Sequence, residues 1–339
     1  MPTVAEHSHP QETSGLQLWK EIGLFILALL GAVLGVVSFY YTRQLTHRQT
    51  KVEVNQWLAE AWDLLGGMPG CEVIARPNRN REQLVQARHL LEDRVLIQDP
   101  TSAKAHRYLG VYWWSRGRSS KAIPFFRRAL ELDPLSAKAH TNLGHHLTDH
   151  GELEEAISCH RRALELDPQH TLANTNLGWV LAKQGKLEEA IDCFRRAIEL
   201  DSEQVLARNN LGWVLAKQGK LEEAIATLLK AIELDPDYAL ARDSLGWAFA
   251  KQGNMEEAIA CFRRAIELDP KYALAYRNLG TALGSQGKWR EAADCFKLSL
   301  ELNPEDDLAQ KRLRTAQANL LAEQEKAEGA TLPLDTSGT

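Results

Sequence analysis

The sequence predicts an all-α protein, a solenoid of stacked helical pairs with one transmembrane helix ahead of it. Three observations carry that prediction. The sixteen residues "NLGWVLAKQGKLEEAI" at 176–191 recur letter for letter at 210–225. The doublets Asp99-Pro100, Asp133-Pro134, Asp167-Pro168, Asp201-Ser202, Asp235-Pro236, Asp269-Pro270 and Asn303-Pro304 stand 34 residues apart throughout. Residues 22–41, "IGLFILALLGAVLGVVSFYY", run for twenty positions without a charge, and at 1.5 Å per helical residue such a run reaches the ~30 Å of a bilayer core.

The N-terminal elements come first. Residues 1–21 form a short leading segment that contains Glu6 and Glu12 but no Lys or Arg before Lys20. The apolar run 22–41 is flanked by Trp19 and closed by Phe39, Tyr40 and Tyr41, rings suited to the two interfaces of a membrane. A cleaved signal peptide is the rival reading, but the run is too long, its start is acidic and no Ala-x-Ala site comes after it. Arg43, Arg48 and Lys51 lie just after the span, which places the rest of the chain on the cytoplasmic side. Gly31 and Gly35 make a GxxxG pair that lets two such helices pack closely, and so admits a homodimer; glycine is also simply common in membrane helices. Residues 42–102 read as juxtamembrane helices and a degenerate repeat that caps the N-terminal end of the solenoid. Val54, Leu58, Ala61 and Leu65 share one helical stripe, "GGMPG" at 66–70 breaks it, and a second helical stretch covers 82–98.

The repeated units start at Ala103, Ala137, Thr171, Val205, Ala239 and Ala273, and each carries Leu-Gly at positions seven and eight, Gly at fifteen and Ala at twenty. A glycine inside a helical pattern, such as Gly212, costs about 1 kcal/mol against alanine, so a close neighbour must need the missing side chain; a small residue such as Ala224 on the second helix is the expected partner. The second glycine, such as Gly219, ends the first helix in the left-handed region, and acidic pairs such as Glu188-Glu189 favour the start of the second. Each Asp-Pro ends the unit, because the residue before proline is steered out of helix.

These residues resemble the tetratricopeptide repeat, a 34-residue helical hairpin with the pattern W-x2-L-G-x2-Y, A-x3-F and P. Leu211, Gly212, Leu215, Ala224, Leu228 and Pro236 meet the pattern in one unit. The first Trp position departs from it, carrying His106, His140, Asn174, Arg208, Arg242 and Tyr276. The resemblance implies a right-handed superhelical solenoid of six repeats over 103–306. A polar helix at 307–326 would seal the last repeat, and 327–339 lacks periodicity and reads as a disordered tail.

Function is then sought on the surface. A net charge of -5 gives no basic field for nucleic acid. Cys71, Cys159, Cys193, Cys261 and Cys295 fall in no zinc spacing, and the last four repeat one structural position. His146 and His150 stand one turn apart, but no third ligand can be named. No phosphate loop, HExxH or nucleophile elbow occurs, so neither catalysis, metal nor cofactor is expected.

The resemblance implies that positions two, five, six, nine, twelve and thirteen of each unit line a concave face. Position six carries Asn142, Asn176, Asn210 and Asn278; position nine carries His145, Trp179, Trp213 and Trp247; position thirteen carries Lys183, Lys217 and Lys251. A row of amides can pair with the backbone of an extended peptide whatever its side chains, as in the asparagine ladder of O-linked glycosyltransferase repeats; it can also serve helix packing. The tryptophans read either as binding anchors or as packing against Ala182, Ala216 and Ala250 one turn on. The family's clamp for chaperone tails needs Lys at position five and Asn at nine, and Thr175 or Asn209 with Trp stands there instead. The expected function is a membrane-anchored scaffold that binds a protein or extended peptide in its groove. Its rivals are a non-catalytic subunit of a membrane-associated transferase or assembly complex, and an oligomeriser acting through Gly31 and Gly35.

Overall fold

The computed structural model describes residues 13–65 and 81–330. The chain is all-α there, a solenoid of helix-turn-helix units. Helix α1 (Thr13–Leu64) leads; α2 (Arg81–His89), a π-helical turn (Leu90–Val95) and the short α3 (Leu96–Gln98) come after it. Six helical hairpins come next: α4 (Ala103–Ser115) with α5 (Ser119–Leu132), α6 (Ala137–Asp149) with α7 (Leu153–Leu166), and α8 (Thr171–Lys183) with α9 (Leu187–Leu200). Then α10 (Val205–Gln218) pairs with α11 (Leu221–Leu234), α12 (Ala239–Gln252) with α13 (Met255–Leu268), and α14 (Ala273–Ser285) with α15 (Trp289–Leu302). Helix α16 (Asp307–Ala330) packs on α15 and closes the stack.

Helix α1 is continuous where the sequence suggests separate elements at 22–41 and 52–65. Its expected stripe is the part that docks: Val54, Leu58, Ala61 and Leu65 are buried in one core with Leu84, Ala87, Leu91 and Val95. Among the described residues no helix is long and apolar enough to cross a membrane, so the expected transmembrane helix is not found there. Residues 21–29, the first part of its apolar run, lie outside those whose side chains are described. From residue 30 onward the run is uncovered, with Leu34, Val36 and Phe39 all about two-thirds exposed. The "GGMPG" break, Cys71 and the last nine residues of the expected tail also lie outside the described residues.

Within each hairpin the first-helix glycine has a large partner in addition to the expected alanine. A Cβ at Gly178 would meet the Phe194 ring at 2.8 Å, and one at Gly212 would meet Leu228 Cγ at 2.5 Å. Phe126, Phe194, Phe262 and Phe296, with Leu228 and His160 at the same place in their units, plug the space that each glycine leaves. Burial of one such ring is worth roughly 1.5–3 kcal/mol. The alanines at position twenty are also fully buried, and the carbonyl of Ala224, Ala258 or Ala292 lies 3.0–3.2 Å from the same point.

The turn between repeats rests on its aspartate as much as on its proline. The Asp133, Asp167, Asp201, Asp235 and Asp269 carboxylates each accept the N–H two residues on, at 3.0–3.3 Å. Asp201 does so although Ser202 comes after it, which is why the missing proline leaves the period intact.

Successive first helices touch one another from α6 to α14, whereas no comparable contact joins successive second helices. First helices therefore form the inner wall and second helices the outer one. The outer wall carries ion pairs from one repeat to the next, Arg127 to Glu155, Arg161 to Glu189, Arg195 to Glu223 and Arg263 to Glu291. Each is half-exposed and worth at most about 1 kcal/mol. The series skips one step at the exposed Leu229.

Candidate ligand-binding groove

The inner wall brings the position-nine residues of three repeats together. Trp179 and Trp213 lie 5.7 Å apart by ring centroid and are tilted by 54°. Trp213 and Trp247 lie 6.3 Å apart and are stacked at 27°. Such pairs are worth about 0.5–1.5 kcal/mol beyond their burial, so the rings join neighbouring repeats while staying half-buried. Thr281 ends the row in the sixth repeat. His145 belongs to a separate aromatic group, edge-on to Trp114 at 5.5 Å and to His146 at 5.4 Å.

One helical turn beyond each indole stands an exposed lysine. The Lys183, Lys217 and Lys251 ammoniums lie 5.6, 5.0 and 4.9 Å from the centroids of Trp179, Trp213 and Trp247. Cation–π contacts at such exposed sites contribute about 0.5–1 kcal/mol each.

The amide row is placed more deeply. Asn142, Asn176 and Asn210 are 6%, 7% and 8% exposed, against half-buried indoles three residues on. Asn210 accepts a hydrogen bond from Asn209 at 3.2 Å. Asn278 donates to the Asp243 carboxylate at 2.9 Å. Gly31 and Gly35 lie on α1, with open space where a Cβ would stand.

Asp243 is an inner-wall residue that nothing in the residue pattern singled out. It is 4% exposed, and burial pushes its carboxyl up to about 6 against the hydrogen bonds from Asn278 and Tyr272 and the charge of Arg277. The available signal was a carboxylate at position five, where Thr141, Thr175 and Asn209 stand in preceding repeats. The departures at position four also find a purpose. His106, His140 and Arg208 reach back to the carbonyls of Pro100, Pro134 and Ser202, six residues earlier, and so tie the first helix to its entering turn.

His146 and His160 sit in the core of the second repeat, and burial, with nearby imidazoles adding to it, lowers both to about 3. His146 stacks on Phe126 at 5.0 Å. Among the described residues no group of three or more His, Cys, Asp or Glu could hold a metal ion. Burial likewise pushes the thiols of Cys159, Cys193, Cys261 and Cys295 up to about 11.

A wall of first helices that exposes a continuous aromatic row, on hairpins of one period, defines a helical-repeat scaffold. Profiles described as tetratricopeptide repeat match residues 79–137 and 175–239, 135–203 and 273–306, and one described as TPR repeat matches 246–287. The chain belongs to the tetratricopeptide repeat family. Proteins of this family act as protein- and peptide-binding scaffolds of typically non-catalytic fold.

Among solved structures, the chain is similar to a tetratricopeptide repeat protein from Parabacteroides merdae, at 17% identity and TM-score 0.61 over 77% of this chain and 99% of that one. It is similar to a chain of the Cut9–Hcn1 hetero-tetramer of the APC/C, at 20% identity and TM-score 0.60 over 69% of this chain; it spans 48% of that chain's length. PilF of Pseudomonas aeruginosa matches at 23% identity and TM-score 0.52 over 65% of this chain and 98% of its own. At these identities the likeness is one of fold. No curated protein matches the sequence.

Proposed function

We propose that the chain is a membrane-anchored scaffold that holds a protein or an extended peptide in the groove of its solenoid. The observation that carries the groove is the unbroken row Trp179, Trp213 and Trp247 along the inner wall, half-exposed in a family of binding scaffolds. Large rings at such positions are favoured anchors. Asn142, His145, Asn176, Lys183, Asn210, Lys217, Lys251 and Asn278 flank them on the same wall. The anchor rests on the charge-free run 22–41, whose described part leaves Leu34, Val36 and Phe39 uncovered. Arg43, Arg48 and Lys51 then keep the repeats, 103–306 with their closing helix, on the cytoplasmic side.

Partner capture by the wild type and by the double variant Asn210→Ala/Trp213→Ala tests the groove. The expected result is a loss of at least about tenfold in capture at unchanged helicity by circular dichroism. Capture undiminished in the folded double variant would exclude the groove.

A further inference from the structure

We infer that the second hairpin, α6 with α7, is an acid-sensitive joint: on mild acidification it opens as a unit and uncouples α1 and the first hairpin from the tryptophan row, while the later repeats stay folded. Where the other repeats carry Phe126, Phe194, Leu228, Phe262 and Phe296, the second carries His160, and where they carry residues such as Val180, Val214 and Ala248 it carries His146. His160 is fully buried, a Cβ at Gly144 would meet its ring at 2.8 Å, and among the described residues neither of its ring nitrogens has a hydrogen-bond partner. His146 is 2% exposed, stacks on Phe126 at 5.0 Å and meets Trp114 edge-on at 5.5 Å, with its Nδ1 also unpartnered there. A protonated imidazole has two N–H donors and a charge, which these enclosures leave unmet and water around an opened hairpin would meet. Burial accordingly holds both well below their ordinary 6.5, at about 3.

The groups around the two rings oppose a charge on them. From α6, His145, within 3.8 Å of the Asp149 carboxylate, acts against a charge on either ring, and His150 acts against one on His146. From the turn into α8, His170 acts against one on His160, and Asp167 and Lys138 act on His170 in opposite senses. No carboxylate is among the groups that act on His146 or His160. The charged groups of α5 and α7 are engaged elsewhere, Arg127 with Glu155, Arg128 with Glu131, Arg161 with Glu189 and Arg162 with Glu165. Helix α8 carries no charged residue before Lys183. The architecture turns a local opening into a break, because each hairpin packs on its neighbours in the stack and the second reaches the first through α5 and the third through α8. In the fifth repeat the buried Asp243, raised to about 6, makes acid favour the folded form, so the response differs in sign along the stack.

Hydrogen–deuterium exchange of the full chain, read peptide by peptide at pH 7 and pH 5 and corrected for the intrinsic rate, tests the joint. Each histidine that charges only in the open form raises the opening equilibrium about tenfold per pH unit below 6.5, so the two together raise it by roughly several hundredfold between those pH values. Protection over residues 137–166 should fall by that order, and over repeats four to six by less than about tenfold. In His146→Val/His160→Phe, whose new letters are those of the third repeat, the fall over 137–166 should shrink below about tenfold, and His160→Phe alone should remove roughly half of it on a logarithmic scale. A fall spread evenly over all six repeats, no fall between the two pH values, or an undiminished fall in either variant would overturn the inference.

Discussion

His146 and His160 occupy core positions that Val180 and Phe194 fill one repeat later, and they are 2% and 0% exposed. Both are held at about 3 by burial, with His145 next in effect, then His150 for the first and His170 for the second. Their ordinary value is 6.5. The unfolded chain therefore binds protons that the folded chain refuses. The stability they support is complete above pH 6.5 and is lost as pH falls from there towards 3, at about 1.4 kcal/mol per unit for each group. Asp243, raised from 3.8 to about 6, runs the other way, because its burial favours the folded chain as pH falls below 6. His170, also lowered by burial, acts in the same direction as His146 and His160, so the histidines outweigh Asp243 and a net loss of roughly 2–3 kcal/mol is expected between pH 7 and pH 5. Thermal melts at the two pH values check it: His146→Val/His160→Phe should flatten the dependence, and an unchanged slope would contradict the assignment. The core position of His146 was legible in its repeat equivalents Val180, Val214 and Ala248; its ring partners and the proton linkage were not. His146 and His150 stand a turn apart in the sequence, and the stacking of His146 on Phe126 is what packing adds.

At the scale of the element, the two glycines of each hairpin were readable and do different work. A Cβ at Gly246 would meet the Phe262 ring at 2.8 Å and the Ala258 carbonyl at 3.1 Å. Gly246→Ala should destabilise by about 1–3 kcal/mol, through overpacking. Gly253 has open space around it but φ of +94°, so Gly253→Ala should cost about 1 kcal/mol from backbone strain alone. Urea unfolding ranks the pair; the reverse order would contradict the packing described for Gly246. The sequence found one partner of the first glycine, the alanine whose carbonyl approaches it, and missed the larger side chain beside that alanine. Ala224 recurs as faithfully as Leu228 is varied, and periodicity favours the invariant letter over the one that fills space. The turn shows the same bias. The prolines drew the eye, whereas the aspartate makes the hydrogen bond that survives at Ser202. Because the other turns accept proline with that bond intact, Ser202→Pro should stabilise by about 0.4–1 kcal/mol by restricting the unfolded chain. An unchanged or lowered urea midpoint would show that this turn differs.

For the whole molecule, the period of 34 was enough to read six hairpins and the helix that closes them. The inner wall was legible only as a set of positions. Which letters face a ligand depends on how deeply each is set, and the amides lie deeper than the indoles by an amount that no spacing states. The continuity of α1 from Thr13 to Leu64 was hidden for a related reason, since hydropathy changes at residue 42 while helix does not. Under the anchored reading, deleting residues 22–41 should move the chain from the carbonate-resistant membrane pellet to the supernatant; a deleted chain that stays in the pellet would contradict the anchor. The central claim is that the inner wall receives the partner. Photo-cross-linking in native membranes tests it most directly, with a photoreactive residue at Lys217 on the inner wall or at Lys230, exposed on the outer helix α11. The account predicts a discrete adduct from position 217 and none from 230, whereas adducts from 230 alone, or equally from both, would contradict it.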